Sequence, residues 1–375
     1  MNISGPKSSI LSIAENFLQL PTAPFREYNI RNFICDFCNG RNIPFKQDDY
    51  GNIIISYGKK STANKNKLAF VAHMDHPGLI VEKNSRDNHC TALFYGGWDP
   101  TEFKAAPIMI FSKKGLKICG NAIKWEKSNK KKAWRAFIEV DGPVHTGDIG
   151  MWDFKPYRVS GDYLYSRSCD DGIGCVLLLA ILDHFLTNKD QSAFTLLFTS
   201  AEEAGLHGAK FICANKLLAK GLIPISLETS RELPSAKIGD GVIIRVGDSR
   251  SIFTPDITDT IVQIARKIKS HNESFLYQRK LMDGGQCEAS VFYSFGYKTG
   301  ALCIPLGNYH NRNFHKKTTE SEYVSITDMI NAFSLIKKMI EHSYLFSKNK
   351  IPIPEFTERK DSLGQRFLEE TESNP

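Results

Sequence analysis

The sequence predicts an α/β fold: a mainly parallel sheet with helices on both faces, interrupted by a small inserted β module. Three observations predict it. After Asp170, helix-like and strand-like segments alternate, the pattern of a parallel sheet covered on both sides. Between Leu79 and Tyr165 the pattern changes to short β-type runs separated by Gly96–Gly97, Asp141–Gly142 and Gly161–Asp162, as in an all-β module. The chain has 375 residues, more than one typical domain of roughly 100–200 residues requires. The expected division is a discontinuous domain from residues 1–78 and 166–345, an insert at 79–165 and a polar C-terminal tail at 346–375.

Each element has a local reason. Ile10–Leu20 is amphipathic, and Pro21 ends it because proline brings no N–H. Tyr28–Asn39 reads as helical. Asp49, Gly51 and Asn52 make a turn before the strand Ile53–Ser56. Lys59–Lys67 (KKSTANKNK) is a polar connector, expected as a solvated loop between hairpin strands. Leu68–Ala72 is an apolar run of strand length, read as a buried strand. In the insert, strands are expected at Thr91–Tyr95, Pro107–Phe111, Leu116–Cys119, Ala136–Val140 and Tyr163–Tyr165, with the lysine-rich Lys127–Lys132 at a hairpin tip.

The C-terminal half reads as follows. Gly174–Leu186 is apolar nearly all round and so a buried helix, with Asp171 as its N-cap. Phe194–Thr199 is a strand, Ala209–Ala219 a helix ending at Gly221, and Ile223–Leu227 a further strand. Thr254 and Pro255 open a helix, proline suiting its first position, with Ile257, Ile261, Ile264 and Ile268 on one face. Ala301–Ile304 is a strand. Ser325 and Asp328 form a capping box for a helix that turns Ile326, Ile330, Phe333 and Ile336 inward.

Composition excludes several classes. Hydrophobic residues are 42% and charged residues 24%, near the globular average, so wholesale disorder, collagen and coiled-coil rods are excluded. No apolar run approaches the roughly 18 residues of a membrane span, and the opening MNISGPKSSI lacks the charged-then-apolar pattern of a secretion signal. The net charge of +7 is too mild to call for nucleic acid. Nine cysteines, an odd number without regular spacing, fit a reducing cytoplasm rather than a disulfide framework. Cys35 and Cys38 form a CxxC, but no second pair completes a structural zinc site, and the helical stretch around them is no redox context. The expected setting is cytoplasmic, with neither membrane nor nucleic acid as partner.

The chemistry sits just after the buried strands. Leu68–Ala72 is followed by His73-Met74-Asp75, Phe194–Thr199 by Glu202-Glu203, Ile223–Leu227 by Glu228, and Ala301–Leu306 by Asn308-Tyr309-His310. Asp170-Asp171 precedes the buried helix. Ligands of open α/β sheets bind outside the carboxyl ends of the strands, so five segments deliver His, Asp or Glu to one rim. Such donors suit zinc. Two histidines with three or more carboxylates exceed one tetrahedral site and fit two ions sharing a carboxylate. A Glu beside a ligand Glu is then free to act as a base.

These segments stand as AHMDHPG (Ala72–Gly78), SRSCDDGIG (Ser166–Gly174), FTSAEEAGLHGA (Phe198–Ala209), ISLETS (Ile225–Ser230), GGQCEAS (Gly284–Ser290) and CIPLGNYHN (Cys303–Asn311). Together, in this order, they resemble the tetrahedral or glutamyl aminopeptidase family of co-catalytic di-zinc metallopeptidases, over Ile10 to Ser343. The resemblance implies a zinc-exopeptidase-like catalytic domain and an inserted β-barrel-like domain that mediates homo-oligomerisation. It implies His73 and Glu228 on one metal, Glu203 and His310 on the other, and Asp170 bridging both. Glu202 would be the general acid/base acting on a metal-activated bridging water. Asp75 would hydrogen-bond His73 and orient its ring. His76, Gly284 and Gly285 are expected at the substrate pocket. The cofactors would be two divalent metal ions, zinc first, with cobalt or manganese as substitutes. The substrates would be short peptides carrying a free amine.

The sequence also departs from the family pattern. Gly172 stands where an Arg is usual after the Asp pair, and Glu228 where the family has Asp. Gln286-Cys287 replaces the end of the usual GGTD loop, and Gly307-Asn308-Tyr309 lacks the usual Arg. Related groups with Glu at the ligand position are carboxypeptidases and N-acyl amino acid deacylases. A di-zinc carboxypeptidase or deacylase is therefore one alternative, and a non-catalytic interaction protein on the same scaffold another.

Overall fold

The computed structural model describes residues 5–58, 67–129 and 133–347, with 85 and 86 in main chain only. The lysine-rich connector at 59–66, the hairpin tip at 130–132 and the tail at 348–375 lie outside the described residues.

The N-terminal part contains α1 (Pro6–Phe17), α2 (Tyr28–Asn39), β1 (Phe45–Gln47), β2 (Ile53–Tyr57) and β3 (Leu68–His73). The insert follows as β4 (Gly78–Arg86), β5 (His89–Tyr95), β6 (Ile108–Phe111), β7 (Lys117–Lys127), β8 (Ala133–Val140) and β9 (Ile149–Trp152). Next come β10 (Arg158–Ser160), β11 (Tyr163–Ser166), α3 (Gly172–Thr187), β12 (Phe194–Thr199), α4 (His207–Ala214) and β13 (Ile223–Arg231). The rest is β14 (Val242–Asp248), α5 (Pro255–His271), β15 (Tyr277–Met282), α6 (Glu288–Ser294), β16 (Gly300–Leu306) and α7 (Ile326–Glu341).

The large sheet has eight strands in the order β1-β2-β12-β3-β13-β16-β14-β15. Its centre, β12, β3, β13 and β16, is parallel. β2 joins antiparallel at one side and β14 at the other. The central strands are apolar runs without alternation, because helices bury both faces. Phe70 and Ala72 of β3 face one core with α1, α3 and α7, while Ala69 and Val71 face another with α4 and α6. Asp171 caps α3 as expected, accepting the Gly174 N–H at 3.2 Å. Gly172 has a packing reason: a Cβ there would lie 2.8 Å from Leu18 Cδ2, at the end of α1.

The insert is a closed six-stranded barrel, β4-β5-β8-β7-β6-β9. Phe94, Trp98, Ile108, Ile110, Ile138 and Trp152 fill it. β9 pairs with both β4 and β6 through Ile149 and Gly150, which closes the cylinder and leaves no edge for later strands. Tyr163–Tyr165, expected within the insert, instead pairs with Tyr323–Ser325 ahead of α7. The run to residue 165 therefore overshoots the barrel.

Other expectations change in detail. The helix predicted at Ala209–Ala219 stops at Ala214, because Lys216 turns left-handed (φ 55°), a usual way to terminate a helix. The capping box is half made. Ser325 Oγ accepts the Asp328 N–H at 3.1 Å, but the Asp328 carboxylate accepts the N–H groups of Gly239 and Gly241 instead. The strands β14 and β15 and helix α6 have no counterpart in the sequence reading. Among the described residues no helix is long and apolar enough to cross a membrane. Every cysteine described is free, and burial pushes the Cys38 thiol up to about 12, so the CxxC carries no reactive thiolate.

Candidate active site

Adjacent parallel strands bring the predicted residues to one rim. Thr199 at the end of β12 pairs with His73 at the end of β3. Glu228 lies within β13, paired with Cys303 of β16, and His310 follows β16 on a short turn. Asp170 enters from the segment ahead of α3. All five candidate ligands are buried: His73, Asp170, Glu203, Glu228 and His310.

Asp170 divides the cluster in two. Its Oδ1 lies 3.6 Å from His73 Nε2, and its Oδ2 lies 3.4 Å from His310 Nε2. On the first side Glu228 Oε2 is 3.8 Å from His73 Nε2. On the second, Glu203 Oε1 is 3.1 Å from His310 Nε2. One ligand atom each from His73, Asp170 and Glu203 fall within 4.8 Å of one another.

The electrostatics follow from crowding acids in a dry site. Burial opposes a charge on His310, but Glu203 and Asp170 outweigh it and hold the imidazole up at about 9. Burial likewise opposes charge on His73, and Asp170 and Asp75 raise it well above the usual range. Burial pushes the Glu228 carboxyl up to about 7, with His73 and Arg245 opposing. Burial drives Glu202 well above the carboxylate range. An excess of buried carboxylates calls for positive charge, which a proton on imidazole supplies weakly and a divalent cation strongly. Asp170 Oδ1 is also buried without a hydrogen-bond partner. Orphaned acceptors beside imidazole nitrogens are what a metal position requires, so the residues fit the expected ions.

Supporting contacts differ from expectation. His73 Nδ1 donates to the Asp75 main-chain carbonyl at 3.1 Å, while the Asp75 carboxylate is 3.6 Å away. That carboxylate instead accepts the N–H groups of Glu202 and Glu203, at 2.9 and 3.0 Å. His76 does not line the pocket. It lies buried behind it, bonded through Nδ1 to the Asp170 carbonyl and through Nε2 to Asn311 Oδ1. A polar partner on each ring nitrogen draws it away from the substrate side. Gly284 and Gly285 do line the pocket, with Gln286.

Several contributors had no local signal. Gly96, just after β5 of the barrel, accepts from His310 Nδ1 at 3.1 Å, so the insert itself orients a candidate ligand. Tyr309 stacks on the His310 ring and lines the pocket. Arg245 is a buried wall residue whose Nη1 donates to Ser230 Oγ at 3.0 Å. The exposed Arg231 stands at the same pocket with its guanidinium 4.2 Å over Phe314. His315 is exposed and apart from the cluster.

A parallel-sheet rim carrying two imidazoles and several carboxylates around one shared aspartate defines a metal-dependent hydrolase. The M42 glutamyl aminopeptidase family model matches residues 51–335, and the chain belongs to that family; by class it is a metallo-aminopeptidase. It is 20% identical over 252 residues to the glutamyl aminopeptidase of Lactococcus lactis subsp. cremoris, covering 61% of this chain and 70% of that protein. Its fold is similar to that of the TET1 peptidase of Pyrococcus horikoshii, which can assemble into a tetrahedron or a large octahedral shell. There the TM-score is 0.72 at 22% identity, over 88% of this chain and 99% of that one. An aminopeptidase from the archaeon Desulfurococcus kamchatkensis gives a TM-score of 0.72 at 20% identity, over 92% and 99% of the two chains.

Proposed function

We propose that the protein is a two-metal aminopeptidase that removes N-terminal residues from short peptides, with Glu202 as general base. The observation that carries this reading is the Asp170 carboxylate, turned with one oxygen to His73 and the other to His310. His73, Asp170 and Glu228 would hold one ion; Asp170, Glu203 and His310 would hold the other. Two divalent ions, zinc first and cobalt or manganese as substitutes, would polarise the scissile carbonyl and lower the pKa of a water.

The protein supplies the rest. Glu202 faces the pocket and would take a proton from the attacking water and return it to the leaving amine. Its main chain is tied to Asp75, which keeps the base in register with His73. The walls formed by Tyr309, Met282 and the Gly284–Gln286 loop would exclude bulk water around the reacting bond. The barrel is assigned to self-association, a reading supported by the assemblies of the related TET peptidase and by exposed Leu116 and Ile123 on the insert.

The test is a substrate panel on purified, metal-analysed protein: aminoacyl-anilides and dipeptides with a free amine, against N-blocked substrates with a free carboxylate. Cleavage confined to free amines supports the aminopeptidase reading. Cleavage confined to N-blocked substrates replaces it with the carboxypeptidase or deacylase reading that Glu228 suggests. Silence on every substrate with both ions bound favours a non-catalytic role. Light scattering, with and without the barrel's exposed apolar residues, tests the assembly assignment.

A further inference from the structure

The two metal positions are built differently. His73 ends a central strand and Glu228 lies within another, so ladder hydrogen bonds hold their backbones. His310 sits on a turn in which Asn308, His310 and Asn311 all have left-handed φ values of 52°, 56° and 59°. Such conformations are disfavoured for residues with a side chain and persist only when their surroundings impose them.

Glu322 supplies that constraint. It is fully buried. Its Oε1 accepts the His310 N–H at 2.8 Å, and its Oε2 accepts the N–H groups of Cys169 and Asp170 at 2.7 and 3.2 Å. One carboxylate therefore straps the His310 turn to the segment that carries Asp170. The Asp170 side has other anchors: His76 Nδ1 donates to its carbonyl, and Thr229 Oγ1 donates to the Cys169 carbonyl at 3.1 Å. For the His310 N–H, Glu322 is the partner found among the described residues.

We infer that Glu322 is a positioning residue that sets the affinity of the Glu203–His310 metal position while leaving the His73–Glu228 position largely intact. The inference rests on the two-metal reading. Removing the strap frees the His310 turn to relax toward ordinary backbone angles, which carries Nε2 away from Asp170 Oδ2. Residues that orient metal ligands in this way are typically worth about 10–100-fold in affinity.

The experiment compares wild type with Glu322→Gln and Glu322→Ala, titrating zinc into metal-free protein and counting bound ions by elemental analysis at fixed free zinc. In wild type two ions bind. In both variants the weaker binding step is expected to worsen by about 10–100-fold, so one ion remains where wild type holds two. The tighter step should change by less than about 3-fold, well inside that loss. Gln keeps one acceptor and the same shape, so it should fall between wild type and Ala, and it carries the test if Ala does not fold. Equal weakening of both steps, or two ions at wild-type affinity in Glu322→Gln, overturns the inference alone. A wild type that never holds more than one ion overturns the two-metal reading and this inference with it.

Discussion

Asp75 accepts the main-chain N–H of Glu202 at 2.9 Å, so the residue two past one candidate ligand holds the candidate base in place. The same carboxylate accepts the Glu203 N–H, and the Asp75 carbonyl accepts a hydrogen bond from His73 Nδ1. A single aspartate thus aligns a candidate ligand from each side of the cluster with the candidate base between them. Asp75→Asn keeps the shape but offers an N–H₂ where an acceptor is needed. We expect metal affinity or kcat/KM to fall by about 10–100-fold, read by zinc titration and steady-state kinetics. Unchanged values for both would show that the turn holds itself.

Glu202→Gln separates the base from the ligands. On the two-metal reading Glu202 holds neither ion, so metal content should match wild type while kcat drops by about 10²–10⁴-fold. Elemental analysis beside a kinetic assay checks both halves. A variant that keeps its turnover would place the base elsewhere.

Gly172 predicts a stability effect rather than a kinetic one. A Cβ at this position would meet Leu18 Cδ2 at 2.8 Å; Leu18 is buried, while Gly172 itself is partly exposed. Introducing the arginine usual in the family, Gly172→Arg, should cost about 1–3 kcal/mol through overpacking. Urea unfolding monitored by circular dichroism would show a lower midpoint with an unchanged slope. An unaltered midpoint would mean that α1 moves aside freely.

Glu27 predicts a pH signature. It is buried, accepts the N–H groups of Phe25 and Ala201, and pairs with Arg31 at 3.1 Å. Burial, then the charge of Asp75, push its carboxyl from 4.5 up to about 7. A raised acid binds its proton more tightly when folded, so ionising it opposes folding. Its contribution therefore declines as pH rises from about 4.5 to about 7 and is flat above, by roughly 3 kcal/mol in all. Glu27→Gln removes that titration. The stability of the variant relative to wild type should grow over this window and level off above it, whatever constant offset the lost Arg31 pair adds. A pH-independent difference from denaturant titrations would disprove it.

Much of the fold is legible in the chain because it depends on neighbours in sequence. Leu68–Ala72 and Phe194–Thr199 are largely apolar without alternation and too short for a helix, which marks a strand buried on both faces. The polar residues that follow them then stand at strand ends, and this is why His73, Glu202 and Glu203 can be picked out without coordinates. Strand β14 has a similar apolar start, Val242–Ile244, but its place beside β16 depends on a pairing across some 60 residues. The barrel is legible as a set of β runs, whereas its closure depends on Ile149 and Gly150 of β9 bonding two partners at once.

The candidate site divides in the same way. Donor type and strand-end position are local properties, so the chain alone nominates imidazoles and carboxylates on one rim and a family whose pattern they follow. Which group serves which is decided by long-range packing. Glu202 finds Asp75 across 127 positions, Asp170 finds Glu322 across 152, and His310 finds Gly96 of the barrel across 214. The same packing turns His76 to the Asp170 carbonyl and away from the pocket. Hydrophobic periodicity is set by a residue's neighbours in sequence, whereas a hydrogen bond to a buried carboxylate forms only once the surrounding chain has excluded water and fixed both partners.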